Sequence, residues 1–337
     1  MARITVLATG GTIASTRSST PGATATESIE ALLQSVDTGA HEVTGKDILT
    51  TGSYLLNHKD LRIIAESVAD VLNDDDCDGV VLTHGTDTLE ETAYLLDLVH
   101  SSSKPVVVTG AQRTPDSIGH DGELNLQDAI AVAGSLKSQE RGVLIVFAGA
   151  IHPARGTTKL HTTNPSPFGG VGACGYVADI PSSASEIGES STHADKQVHY
   201  HACPRRARAL NLPDERFDST RVDVVATHPG ADATAARAYA DAGATGLVLV
   251  GTGAGNGNHT LLEWTSEAIE SGITVGLSTR VPHGSVLPLY GNGGASDFLQ
   301  AGALSMGDLP WSQARILLAL LLSQQQVISS DALAEHI

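Results

Sequence analysis

Gly79-Val80-Val81-Leu82-Thr83-His84-Gly85-Thr86-Asp87-Thr88-Leu89-Glu90-Glu91-Thr92 reads as one short apolar strand that stops at a polar turn and hands over to a helix. The spacing of Leu89, Ala93, Leu96 and Val99 after the turn is helical. The amino terminus repeats the strand and turn, Ile4-Thr5-Val6-Leu7-Ala8 running straight into Thr9-Gly10-Gly11-Thr12-Ile13-Ala14-Ser15. Residues 105–109 and 142–147 are further strands, and helical spacing covers residues 59–73 and about 122–136. Strands alternating with helices of this length predict βαβ units and a parallel sheet.

Periodicity is lost between about residues 181 and 220, where Ser182-Ser183-Ala184-Ser185 and Pro204-Arg205-Arg206 intervene. Alternation resumes with strands over 222–226, 246–250 and 273–277 and helices over 234–242, 261–269 and 311–322. A chain of 337 residues exceeds the usual size of one domain. The fold class expected is α/β: a larger amino-terminal domain over 1–195 with a mostly parallel sheet, a linker over 196–220, and a smaller carboxy-terminal parallel α/β domain over 221–337.

A formal charge of −18 opposes the negative field of nucleic acid or an anionic membrane, so neither is expected as a partner. Cys77, Cys174 and Cys203 are odd in number and widely spaced, which suits a reducing compartment rather than a disulfide framework. The first apolar run is too short for a signal peptide, and the run over 316–322 falls far below the ~20 residues of a membrane helix. A cytoplasmic protein is expected.

Gly10-Gly11-Thr12, His84-Gly85-Thr86-Asp87 and Gly110-Ala111-Gln112-Arg113 each follow the carboxyl end of an expected parallel strand. Those ends share one sheet edge, where α/β folds collect ligands, and the glycines leave backbone N–H groups open to an oxyanion or carboxylate. A threonine hydroxyl attacks only when a base takes its proton. Lys159, in the polar loop Ala154-Arg155-Gly156-Thr157-Thr158-Lys159 after the fourth strand, is the candidate base, with Asp87 to orient it and Thr86 as nucleophile or relay. Threonine and aspartate also cap helices, which is the competing account of either motif alone. Two such motifs on one edge favour a site.

Thr9-Gly10-Gly11-Thr12-Ile13-Ala14-Ser15 and His84-Gly85-Thr86-Asp87-Thr88-Leu89-Glu90-Glu91-Thr92-Ala93 resemble the two signature motifs of the bacterial-type L-asparaginase family, which includes glutaminase-asparaginases. The resemblance continues in order through Gly110-Ala111-Gln112-Arg113, Asp121-Gly122-Glu123-Leu124-Asn125-Leu126, Lys159, Gly255-Asn256-Gly257-Asn258 and Ser278-Thr279-Arg280-Val281-Pro282. It implies hydrolysis of the side-chain amide of L-asparagine through a Thr12 acyl-enzyme, with L-glutamine as a side substrate and no metal or organic cofactor. It further implies a proton-handling cluster of Thr86, Asp87 and Lys159, substrate contacts from Ser53, Asp87 and Ala111, and Asn258 supplied by a neighbouring subunit of a dimer or homotetramer. The alternatives are an archaeal-type tRNA-dependent amidotransferase subunit, which normally carries an additional amino-terminal domain, and a catalytically silent amino-acid-binding protein.

The chain departs from the family pattern twice. Residues 14–27, the lid after the first motif, contain no tyrosine, and the candidate substitutes are Tyr54, right after Ser53, or a residue reaching in from elsewhere. The stretch His283-Gly284-Ser285-Val286-Leu287-Pro288-Leu289-Tyr290 lacks the glutamate with which many members bind the α-amino group. Other signals are weaker: Asp74, Asp76 and Asp78 imitate a calcium loop without its glutamate, residues 251–257 lack dinucleotide-motif spacing, and His193, His199, His201 and Cys203 are too irregular for a zinc site.

Overall fold

The computed structural model describes residues 1–17, 23–25, 28–180, 195–324 and 328–337, and contacts divide it into two units, Met1–Leu210 and Asn211–Ile337. In chain order the first unit contains β1 (Arg3–Ala8), β2 (Ser15–Arg17), β3 (Ala23–Ala25), α1 (Ile29–Leu33), β4 (Glu42–Asp47), α2 (His58–Leu72), β5 (Gly79–Thr83) and α3 (Leu89–Val99). It continues with β6 (Val106–Thr109), α4 (Gly122–Ala133), β7 (Val143–Phe147), β8 (Ala150–Pro153), β9 (Thr157–Lys159), β10 (Phe168–Gly170), β11 (Gly175–Ile180) and β12 (Asp195–Tyr200).

Eight of these strands form one sheet in the order β12-β11-β8-β7-β6-β5-β1-β4. From β7 to β4 the pairing is parallel, while β8, β11 and β12 are joined antiparallel. The central strands are buried along their whole length because helices cover both faces. Val81 and Val107 pack with Leu126 and Ile130 of α4 on one side. Val80, Leu82 and Val106 pack with Ile64 of α2 and Leu96 of α3 on the other. β1 lies between β4 and β5, so the chain turns outward in opposite directions on either side of it, and a crevice opens at the ends of β1 and β5.

The second unit contains α5 (Glu215–Ser219), β13 (Val222–Ala226), α6 (Thr234–Asp241), β14 (Gly246–Gly251), α7 (His259–Glu270), β15 (Thr274–Thr279), α8 (Ala295–Gln300), β16 (Leu304–Ser305), α9 (Trp311–Gln324) and α10 (Ser330–Ala334). Its sheet is parallel throughout, in the order β13-β14-β15-β16. The apolar run in α9 is buried, and no helix among the described residues is long and apolar enough to cross a membrane.

Three local expectations are corrected. Lys196 to Tyr200 is strand β12, not linker: Val198 faces the core, and Lys196 Nζ joins Asp128 of α4 to Asp179 of β11 at 2.8 Å each. The segment up to residue 210 stays on the first unit, because Arg206 donates to the His100 carbonyl at 2.6 Å and the Leu210 N–H to that of Leu98 at 2.7 Å. Lys159 lies in a strand, β9, where a loop is expected. Residues 181–194, with the serine run and His193, lie outside the described residues; His199 stacks on Tyr176, and His201 bonds the Ala173 carbonyl.

Burial, reinforced by the Arg206 guanidinium, lowers the His100 imidazole from its ordinary 6.5 to about 4. The folded chain therefore stays unprotonated there while the unfolded chain takes up a proton as pH falls below 6.5. The stability that His100 contributes is full above that pH and declines between 6.5 and about 4, by up to about 1.4 kcal/mol per pH unit. His100→Gln is expected to flatten the fall of the thermal midpoint over that window; equal slopes for variant and parent would refute the assignment.

Candidate active site

The crevice is a cavity of about 450 Å³ lined by Gly11, Thr12, Thr50, Thr51, Gly52, Ser53, Tyr54, Leu55, Gly85, Thr86, Asp87, Gln112, Lys159 and Thr162. Backbone contacts build it. Gly10 and Gly11 both have positive φ, +97° and +86°. A β-carbon on Gly10 would lie 2.7 Å from the Thr51 nitrogen, and one on Gly11 would lie 2.6 Å from the Gly85 nitrogen. The Thr9 N–H and hydroxyl both donate to the Thr83 carbonyl, and the Thr51 N–H donates to the Thr9 carbonyl, so three turns are laced side by side. Thr12 opens the single 3-10 turn Thr12–Ala14 at this junction.

Lys159 Nζ donates to Thr86 Oγ1 and to Asp87 Oδ1, each at 2.8 Å. Its side chain is 14% exposed and that of Asp87 57%, so the ion pair faces the cavity's water on one side. Helix capping does not account for these residues. Thr88 occupies the N-cap of α3 without capping it, and its hydroxyl donates instead to the Ser53 carbonyl at 2.9 Å. Glu90, in the first turn of α3, accepts from the Thr158 hydroxyl and the Lys159 N–H.

His84 is buried behind this cluster. Its Nδ1–H donates to the Gly85 carbonyl at 2.7 Å, and Nε2 accepts from the Thr92 hydroxyl at 2.9 Å, an assignment forced by the carbonyl, which can only accept. Burial lowers it to about 4, so it stays neutral near pH 7. It braces the turn.

The third strand end depends on two residues whose roles composition did not reveal. Asp121 at the start of α4 accepts from the Gln112 and Arg113 N–H groups, at 3.0 Å and 2.9 Å. Asn125, one turn on, donates to the Gly110 carbonyl at 3.0 Å and accepts from the Ala148 N–H at 2.9 Å. Together they present Gln112 to the cavity, with Ala111 buried beside it.

Thr12, Ser53, Thr86, Asp87 and Lys159 thus line one cavity. Ala111 adjoins it, and Asn258 belongs to the second unit, where it caps α7. There its Oδ1 accepts from the Leu261 N–H and its Nδ2 donates to the Ala231 carbonyl, both at 2.9 Å. Part of the tyrosine-free lid, residues 18–22 and 26–27, lies outside the described residues. Gln112 lies within a quoted motif and Thr50 and Thr51 shortly precede Ser53, whereas Thr162 carries no sequence signal. The acidic turn is engaged by Arg3, which pairs with Asp76 and Asp78.

Residues 3–192 match the asparaginase N-terminal domain family and residues 221–333 the glutaminase/asparaginase C-terminal domain family. The chain belongs to the asparaginase family. It is 33% identical to L-asparaginase 2 of Bacillus subtilis (strain 168) over 329 residues, 95% of this chain and 82% of that protein. It is 34% identical to L-asparaginase 2 of Escherichia coli (strain K12) over 333 residues, 95% of this chain and 89% of that one. A crystal structure described as a probable cytoplasmic L-asparaginase from Campylobacter jejuni superimposes with a TM-score of 0.84 at 28% identity, over 99% of this chain and 100% of the other. In this asparaginase-family chain both signature motifs end strands of the first unit and meet at the cavity.

Gly11→Ala tests the lacing of the turns. Left-handed backbone alone costs a β-carbon residue about 1–2 kcal/mol, and the Gly85 backbone has no flexible end to move aside. A lower thermal midpoint together with loss of turnover is expected; a variant matching the parent in both would show that the turns do not touch.

Proposed function

We propose that this protein is an L-asparagine amidohydrolase in which Thr12 is the nucleophile and the Thr86, Asp87 and Lys159 cluster moves the protons. The observation that carries the reading is Lys159 Nζ within 2.8 Å of both a threonine hydroxyl and a carboxylate, in a cavity that Thr12 also lines. The Thr12 hydroxyl loses its proton as its oxygen attacks the side-chain carbonyl carbon. The C–N bond then breaks, the nitrogen takes a proton and leaves as ammonia, and the aspartyl ester that remains is hydrolysed by water to L-aspartate. Ser53 and Asp87 hold the substrate's α-substituents, with the Ala111 backbone as a further contact. Tyr54, whose ring lies over Gly52 at the cavity rim, supplies a phenol in place of the missing lid tyrosine. The three cysteines are free thiols, which supports a cytoplasmic location.

The working form in this proposal is a homo-oligomer, a dimer or a tetramer, that brings Asn258 of one subunit to the cavity of another. One Nδ2–H is on the Ala231 carbonyl and one Oδ1 lone pair is on the Leu261 N–H, so Asn258 can offer a neighbouring site its second N–H and the second lone pair of Oδ1, the latter an acceptor for the substrate's ammonium.

Purified protein is expected to release ammonia from L-asparagine faster than from L-glutamine, and Thr12→Ala to lose that activity by at least about 10³-fold. A parent protein that hydrolyses neither amide, or a Thr12→Ala variant with full turnover, overturns the reaction. Specific activity is expected to fall on dilution through the dimer's dissociation range in sedimentation experiments; a fully active monomer overturns the sharing of sites.

A further inference from the structure

We propose that Glu90 is a positioning residue for Lys159, holding the amide end of that lysine so that its Nζ falls between Thr86 and Asp87. The inference rests on the reaction proposed above. Glu90 is 9% exposed, and a carboxylate so far from water needs partners of its own. An acid in the first turn of a helix ordinarily faces solvent and interacts with the helix's own N–H groups. The Glu90 Oε2 instead reaches out of α3 and accepts from the Lys159 N–H and the Thr158 hydroxyl.

Lys159 is thereby gripped at both ends. Its backbone N–H is on Glu90 and its ammonium is on Thr86 Oγ1 and Asp87 Oδ1, at 2.8 Å each. Residues 86 to 90 are one continuous turn of chain, so both ends of the lysine are held by the same short segment. β9 needs such a tether because it pairs with β10 in a separate two-stranded sheet and takes no register from the eight-stranded ladder. A proton acceptor works only within hydrogen-bond reach, and a displacement of about 1 Å can lower turnover by about 10²-fold.

Both bonds end on a single oxygen, which lets reach be separated from charge. Glu90→Gln removes the charge but can place its amide oxygen at the same point. Glu90→Asp keeps the charge and withdraws the oxygen by one carbon–carbon bond, about 1.5 Å. With L-asparagine as substrate, kcat of Glu90→Gln is expected within about fivefold of the parent and that of Glu90→Asp about 10²-fold lower, with KM within about threefold for both. A Glu90→Asp variant as active as Glu90→Gln, or more active, overturns the positioning role. If the Glu90 variants lose their thermal transition, Thr158→Val decides: about a tenfold lower kcat at unchanged KM supports the tether, and parental kcat overturns it. A parent protein without amidase activity removes the reaction itself, and with it this inference, whereas an active parent with an insensitive Glu90→Asp removes the positioning alone.

Discussion

At Gly11 and Gly85 the turns that end β1 and β5 approach until a β-carbon on Gly11 would stand 2.6 Å from the Gly85 nitrogen. Gly110 repeats the constraint one strand along, where a β-carbon would stand 2.3 Å from the His84 carbonyl oxygen. Side chains are thus excluded from the floor of the crevice, and Thr12, Thr86 and Asp87 stand one residue or two beyond the glycines. The sheet makes this closeness possible. Parallel strands buried on both faces hold β1 and β5 in register, and the threonines at their ends are tied to each other by main-chain bonds. The hydrophobic layers on either side of β5 therefore serve the site as well as the fold.

The charges follow from the same arrangement. Lys159 brings an ammonium to a hydroxyl and a carboxylate, with a second carboxylate, Glu90, at its backbone. His84, the neighbouring group best suited by its ordinary range to exchange protons near neutrality, is withdrawn from that role by burial and spends both ring nitrogens bracing the turn. On the proposed reading proton handling then falls to the lysine, whose short polar strand sits outside the main sheet.

The central strands and the two signature turns were legible because their patterns are local: uninterrupted apolar runs followed by glycine and threonine. β4 was not legible, since it is an edge strand in which half-buried Val43 is the one bulky apolar side chain among exposed polar residues, too little to make a pattern. β12 escaped notice because Lys196, His199 and the loss of periodicity before them masked an alternation in which Val198 is buried in the core and Tyr200 packs against it. In the site, its place in the polar segment after the fourth strand pointed to Lys159, but its bond to Glu90 joins residues 69 positions apart, a separation that no local pattern encodes. Asp121 and Asn125 were visible as members of a motif, while their role in shaping the 110–113 turn emerges only from where α4 packs.

The absence of a second acid toward the α-amino group bears on the lysine as well. Lys159 engages Oδ1 of Asp87. On the reading proposed above, the substrate's ammonium approaches the same carboxylate, so two cations share one anion about 5 Å apart. At an effective dielectric constant near 20 their repulsion is about 3 kcal/mol. That repulsion subtracts from the binding of the substrate. A partner glutamate would weaken the effect by neutralising the ammonium separately. On the proposed reading, this chain therefore holds its substrate more weakly than a relative that carries the glutamate would.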